Sequence, residues 1–224
     1  GRDIVAPFLR ARGISVIDRL VLSHADSDHA GGWPGLAAII KVQGTWVSPG
    51  HDVQAPHTIC RGGQTWRWDG VEFAMLYPGE HAVGSRNNLS CVLKISAPGG
   101  AVLLPGDIES RAEAALLNEP GIVLEADILL APHHGNLTSS SEDFVAAVSP
   151  DFVVFAAGYK NRFSFPRPAV LRRYLARDVV VLTTGIEGAI TFDISDRVDF
   201  PQSYRRTHRR HWHHRQPDES VEGD

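Results

Sequence analysis

The stretch Leu22-Ser-His-Ala-Asp-Ser-Asp-His29, followed at once by Ala30-Gly31-Gly32, decides how this chain is read. The apolar run Ile17–Leu22 before it has the composition of a strand, so the polar residues stand where a strand ends. That is the usual place for ligands in layered α/β proteins. Residues two apart in extended chain point the same way, so His24 and Asp26 are expected to grip one ion. The next turn is expected to bring Asp28 and His29 round to a second. Glycines just beyond let the backbone turn without a Cβ in the way.

Two other strand ends carry the same chemistry. Ala101–Leu104 runs into Pro105-Gly106-Asp107, and Ala126–Leu130 into Ala131-Pro132-His133-His134-Gly135. Gly-Asp is also an ordinary turn, and Asp107 alone could cap the next helix. Three apolar strands that each deliver Asp or His point to a two-metal hydrolase. The expected metal residues are His24, Asp26, Asp28, His29, Asp107 and His133, and the expected catalytic residues are Asp28, Asp107 and His134.

Around these motifs the pattern alternates. A helix is predicted over Asp3–Arg12, and a short one over Trp33–Ile40 precedes a strand at Lys41–Val47. Ser48–Gly63 reads as loop. Period-two alternation about Asp69-Gly70, and again about Pro98-Gly99-Gly100, predicts two hairpins. Then follow a helix at Glu109–Asn118, the strand Ala126–Leu130, a helix at Ser141–Val148 and the strand Phe152–Ala156. A helix at Pro168–Ala176 and strands at Val179–Thr183 and Ala189–Ile194 complete the series. Hairpins first and strand–helix alternation later predict sheets covered by helices in a mixed α/β architecture.

The 224 residues, 43% hydrophobic and 21% charged, suit one globular domain, expected over residues 1–200. No apolar run approaches the roughly 18 residues of a membrane span. With a net charge of −4 the chain is not a bulk nucleic-acid binder. Residues 201–224 read as a tail, basic and then acidic. Between Pro201 and Arg215 it holds five arginines and four histidines without an acid, and it is expected to be disordered or to lie on DNA or anionic lipid. Cys60 and Cys91 are either reduced core thiols or one disulfide.

His-x-Asp-x-Asp-His, Gly-Asp and His-His-Gly together resemble the metallo-β-lactamase superfamily, and in particular the carboxy-terminal domains of the ComEC family of DNA-uptake proteins. Val5-Ala-Pro-Phe-Leu-Arg, Arg86-Asn-Asn-Leu-Ser, Leu104-Pro-Gly-Asp, Ala131-Pro-His-His-Gly-Asn-Leu-Thr-Ser-Ser and Asn161-Arg-Phe extend the likeness over most of residues 1–194. The resemblance implies an αββα sandwich of the metallo-β-lactamase fold, with the amino-terminal strands that bear Asp-x-Gly truncated. It also implies two divalent metal ions and a nuclease role on incoming, single-stranded DNA. The domain would then be a soluble part of a channel protein in the bacterial inner membrane, on the periplasmic or external face. Two departures stand out: Asp26 occupies a position where the superfamily more often has His, and Phe165-Pro166 one where the ComEC branch has His-Pro.

A carboxylate at Asp26 hardens the site, favouring Mn²⁺ and admitting Zn²⁺ or Mg²⁺. The expected arrangement is His24, Asp26 and His133 on one ion, Asp28 and His29 on the other, and Asp107 between them, for hydrolysis of a phosphodiester by an activated water. The alternatives are a hydrolase of small esters, lactones or lactams, and a degenerate module that binds DNA without cutting it. Ser139 with Glu142 reads as a capping box whose helix start could also meet phosphate. Asn88 and Ser90 read as site supports or turn residues, Arg162 as a phosphate clamp or surface residue, and His51, His57 and His81 as surface residues.

Overall fold

The computed structural model describes residues 1–208. The elements run α1 (Val5–Ala11), β1 (Val16–Leu22), α2 (Ser27–Ala30), α3 (Trp33–Ala37), β2 (Lys41–Val47), β3 (Thr58–Ile59), β4 (Thr65–Trp68), β5 (Val71–Tyr77), β6 (Val92–Ala97) and β7 (Gly100–Leu104). They continue α4 (Ser110–Asn118), β8 (Ile128–Leu130), α5 (Glu142–Val148), β9 (Phe152–Phe155), α6 (Pro168–Leu175), β10 (Val180–Thr183), α7 (Thr184–Glu187), β11 (Ile190–Thr191), β12 (Gln202–Ser203) and α8 (Tyr204–Thr207).

These strands build a three-stranded parallel sheet, β1-β2-β3, and a seven-stranded mixed sheet in the order β10-β9-β8-β7-β6-β5-β4. Both predicted hairpins form. Asp69 and Gly70 take φ values of 47° and 84°, the left-handed pair that a two-residue turn needs to match strand twist. The parallel strands β8, β9 and β10 are nearly uniform in Ile, Leu, Val and Phe, as strands covered on both faces must be.

Apolar burial orders the layers. Between the sheets lie Cys60, Met75, Cys91 and Leu93, joined by Val21, Trp46, Trp66 and Phe73. The outer face of the large sheet takes α4, α5 and α6 through Leu116, Phe144, Val145, Val170 and Tyr174. On the outer face of the small sheet, Ala6 and Leu36 pack with Ile40, Ile17 and Leu20. The result is the expected α–β–β–α sandwich. Strand β1 has one free edge among the described residues, since only β2 pairs with it.

The small sheet is too narrow to cover its larger partner. Over β8–β10 the segment from Ile190 to Val198 takes its place, packing Phe192 and Ile194 onto Phe152 and Val154. Here the extended strand read at Ala189–Ile194 shrinks to the pair Ile190–Thr191, which joins Gln202–Ser203 rather than the main sheet. The loop read at Ser48–Gly63 contains the short strand β3. The expected tail begins at residue 201, yet its first eight residues pack on the domain: Arg206 donates two hydrogen bonds to the buried Glu187 carboxylate, at 2.8 and 2.7 Å. Arg209, Arg210, Arg215 and the acidic end lie outside the described residues.

Cys60 and Cys91 are disulfide-bonded, with Cα atoms 5.8 Å apart. Cys60 directly follows β3 of the small sheet, and Cys91 directly precedes β6 of the large one. The bond therefore staples the two sheets together. The Cys91 amide also donates to the carbonyl of Ser23 at 2.8 Å, at the very start of the His24–His29 motif.

Candidate metal centre

Asp107 is the hub. Its carboxylate is 6% exposed and lies 3.2 Å from His29 Nε2, 3.6 Å from His134 Nε2, 3.7 Å from His24 Nε2 and 3.9 Å from His133 Nε2. Ser90 fixes its backbone, because the Ser90 hydroxyl accepts from the Asp107 amide at 3.2 Å. Gly106, at φ 61°, turns the chain so tightly that a Cβ there would meet the Ser90 side chain at 2.9 Å.

The His24–His29 motif reaches the hub in two steps, as its spacing predicts. His24 and Asp26 follow β1 in extended chain and meet at 3.8 Å, Nε2 to Oδ2. The single turn of α2 then carries Asp28 and His29, also 3.8 Å apart, to the other side of Asp107. Ser23 braces both imidazoles, its hydroxyl lying 3.2 Å from His24 Nδ1 and 3.0 Å from His29 Nδ1. That leaves each Nε2 facing inward.

His133 and His134 arrive by an unusual backbone. Both are left-handed, at φ 48° and 55°, and Gly135 follows at 84°. Three successive residues in this region throw the two imidazoles to different places. His134 joins Asp28 (3.4 Å) and His29 (3.1 Å), so Asp28, His29, Asp107 and His134 offer ligand atoms all within 4.8 Å of one another. His133 turns toward Glu109, whose Oε1 lies 3.6 Å from His133 Nδ1. Sequence reading set His134 among the catalytic residues and not the metal residues, and it overlooked Glu109. The signal for Glu109 was its place two residues after Asp107.

Glu109 is held in turn. It accepts from Thr138 Oγ1 at 2.8 Å and from Asn88 Nδ2 at 2.9 Å. Asn88 Oδ1 accepts from the amides of Glu109 and Ala112 and thereby caps α4 from outside the helix. Asn88 and Ser90 are thus supports of the site.

The capping box expected at Ser139 and Glu142 does not form. Ser139 Oγ donates to the carbonyls of Pro132 and Asn136, and Ser141 is the residue that caps α5, accepting from the Phe144 amide. Nor is that helix start open to phosphate. The amides of Ser140 and Ser141 donate to the two oxygens of the buried Glu113, at 2.5 and 2.9 Å. Arg173 caps the carbonyls of Ser139 and Ser140, and Tyr174 donates to Ser140 Oγ. Sequence reading missed this brace, because Glu113 lies 27 residues from its first partner.

Electrostatics follow from the crowding. Burial lowers the pKa of His24, and the neighbouring His29 lowers it further against the pull of Asp107. Burial works against the charge on His29, but the Asp107 carboxylate outweighs it and raises that imidazole. Burial opposes ionisation of Asp107, and the surrounding His29, His134 and His24 hold it below the usual carboxylate range.

One atom tests whether a cation fits. His24 is fully buried and its Nε2 has no hydrogen-bond partner. The carboxylates nearest to it are too far for a hydrogen bond. A buried, unpaired imidazole nitrogen aimed at two carboxylates is costly without an acceptor of its lone pair. A divalent cation satisfies it, and mixed imidazole and carboxylate donors suit Zn²⁺ or Mn²⁺.

A groove of about 1220 Å³ opens beside the centre, lined by Asp26, Asp28, Trp33, Lys41, His51 and Arg86. Arg86 pairs with Asp26 at 3.2 Å on its rim. His51, read from sequence as a surface residue, is half-buried in this lining, whereas His57 and His81 are exposed.

The sequence matches the family model described as "Metallo-beta-lactamase superfamily" over residues 2–158. The chain belongs to the metallo-beta-lactamase superfamily. Among relatives, it is 37% identical to "Competence protein ComA" of Neisseria gonorrhoeae over 190 residues, 85% of this chain and 27% of that protein. It is 31% identical to "ComE operon protein 3" of Bacillus subtilis over 214 residues, 88% of this chain and 27% of that protein. The chain thus spans about a quarter of the length of these relatives. Among solved structures, CmlA, a diiron beta-hydroxylase from Streptomyces venezuelae, superposes with a TM-score of 0.52 at 15% identity, over 75% of this chain and 44% of that one. That likeness shows the metallo-beta-lactamase fold alone.

Proposed function

We propose that this chain is a metal-dependent phosphodiesterase, a nuclease domain acting on DNA during its uptake. The observation that carries the reading is the gathering of six donor residues around Asp107, with the orphaned His24 nitrogen among them. His24, Asp26 and His133 would hold one ion, and Asp28, His29 and His134 another, with Asp107 shared. His134 thereby moves from the catalytic to the metal group. Divalent ions held there would supply an activated water and neutralise developing charge on a phosphoryl group.

The residues themselves do the rest. Ser23 and Glu109 orient imidazoles on their Nδ1 sides, as outer partners of metal-binding histidines do. Lys41 and Arg86 stand among Asp26, Asp28 and Asp52 in the adjoining groove, so the positive charge that draws a phosphate backbone would come from the divalent ions at the centre. The competence names of the relatives support DNA as the polymer. Parentage in a membrane channel belongs to the same proposal; among the described residues no helix is long and apolar enough to cross a membrane. The Cys60–Cys91 disulfide favours an oxidising side, the periplasmic or external face.

The test is cleavage of end-labelled DNA by the 224-residue chain with Mn²⁺, Mg²⁺ and Zn²⁺ in turn, alongside metal analysis. Cleavage that chelation stops supports the proposal. Hydrolysis of small esters or lactones with no DNA cleavage would replace it with the small-substrate reading, and metal binding with neither activity would leave a DNA-binding module.

A further inference from the structure

The loop that follows β9 lies against the His133–His134 turn and has no role in metal binding. It is stiff. Asn161 stitches it closed, its Nδ2 donating to the carbonyls of Gly158 and Phe165 and its Oδ1 accepting from the Phe165 amide. The Arg167 amide donates to the carbonyl of Gly135 at 3.0 Å and pins the loop's end to the turn.

What the loop presents is a row of flat rings. Phe163 stacks on Phe165 with ring centres 5.4 Å apart at 20°, and Phe165 lies over His134 at 6.5 Å and 23°. Phe165 also meets His133 edge-on at 6.2 Å. Phe163, the outer member, is 51% exposed. Two cations flank the row: the Arg162 guanidinium sits 4.7 Å from the Phe163 ring, and Arg167 sits 5.8 Å from Phe165.

Resting on the phosphodiesterase reading above, we infer that Phe163, backed by Phe165, forms a platform on which an unpaired base of the substrate stacks beside the bond to be cut. The chemistry fits one occupant. Aromatic rings interleaved with arginines bind the π-faces of bases and the phosphates between them, without regard to sequence. A base inside a duplex has both faces covered and cannot use such a platform. The loop is therefore a specificity element: it selects strands with free bases, and it sets their register against Asp107. Phe163 and Phe165 act as positioning residues.

Binding tests this without depending on cleavage. Fluorescence anisotropy with chelator present measures the 224-residue chain on a 12-nucleotide single strand, on the same strand made abasic at its centre, and on the duplex. A 2-aminopurine at the same position reports stacking by quenching. The intact strand should bind about tenfold tighter than the abasic one, with quenching. Phe163→Ala and Phe163→Leu should each erase that difference, and Phe163→Trp should restore it. Equal preference for the intact strand in Phe163→Ala and in the parent overturns the platform, as does a parent that binds no strand. Cleavage with Mn²⁺ separates the two proposals. A base preference that depends on Phe163 in a chain that cuts nothing keeps the platform and removes the nuclease, whereas cutting with no such dependence does the reverse.

Discussion

The two turns that meet at Asp107 are built in opposite ways. The first, from Ser23 to Ala30, comes from the three-stranded sheet and faces solvent: Asp28 is 63% exposed and Asp26 36%. Its carboxylates meet the exposed Arg86 and the imidazoles of His24, His29 and His134. Its order comes from Ser23 beneath the imidazoles and from the disulfide that ties β3 to β6. The second, from Ala131 to Ser141, comes from the seven-stranded sheet and rests on a buried carboxylate, an arginine and a tyrosine. A site assembled this way has one wall fixed by burial and another fixed by covalent and local bonds.

Breaking the hub should erase the contrast altogether. Asp107→Ala takes the shared carboxylate from both walls, and cleavage in Mn²⁺ should fall about a thousandfold, the rate equivalent of several kcal/mol of transition-state stabilisation. Parent-like cleavage by that variant would defeat the phosphodiesterase proposal. Reducing the disulfide removes the staple between the two sheets and, through the Cys91–Ser23 hydrogen bond, loosens the first wall. With its cysteines 31 residues apart, the bond should contribute about 3–4 kcal/mol, read as a lower denaturant midpoint in dithiothreitol. Cys60→Ala/Cys91→Ala should reproduce that loss and be insensitive to reductant.

Glu113→Gln attacks only the second wall. The amide would face one backbone N–H with another donor, and leaving that buried N–H unpaired costs about 2 kcal/mol. Chemical denaturation should show the loss. If the two walls are independent, adding Glu113→Gln to the double cysteine variant should give a plain sum.

The smallest effect lies away from the site. Burial opposes ionisation of Glu187, but the Arg206 hydrogen bonds outweigh it and hold the carboxyl below its usual value. A depressed carboxyl stabilises the fold above its unfolded pKa and loses that contribution as pH falls through its folded one. Hydrogen-exchange protection over α7 and β12, taken relative to the intrinsic rate at each pH, should therefore fall in acid, and Glu187→Gln should show the lower protection already at neutral pH.

Local rules made much of this legible. Asp69-Gly70 announces its hairpin because only a left-handed pair closes it, and the spacing of His24, Asp26, Asp28 and His29 announces their gathering because strand and helix periods are fixed. What stayed hidden depends on distant partners. Ser139 looks like a helix cap until the carbonyls of Pro132 and Asn136 claim its hydroxyl. Glu113 looks like a surface residue of an amphipathic helix until two amides of another turn close on it. Left-handed His133 and His134 are not legible in sequence: histidine is enriched in that region, but most histidines still adopt negative φ. The strand-like run Ala189–Ile194 does not announce its partner, since Gln202–Ser203 carries no strand pattern and lies beyond a loop.

Gly135 has one more consequence. A Cβ there would lie 2.7 Å from both Phe155 and Pro166, so the imidazole turn and the ring-bearing loop are meshed like two gears with no clearance. Changes at Phe163, the outermost tooth, leave the mesh alone. Any change at Gly135, Phe155 or Pro166 must displace the rings and the imidazoles together. Under the proposals above, Phe163 is the position where substrate preference would vary without disturbing the turn that carries His133 and His134.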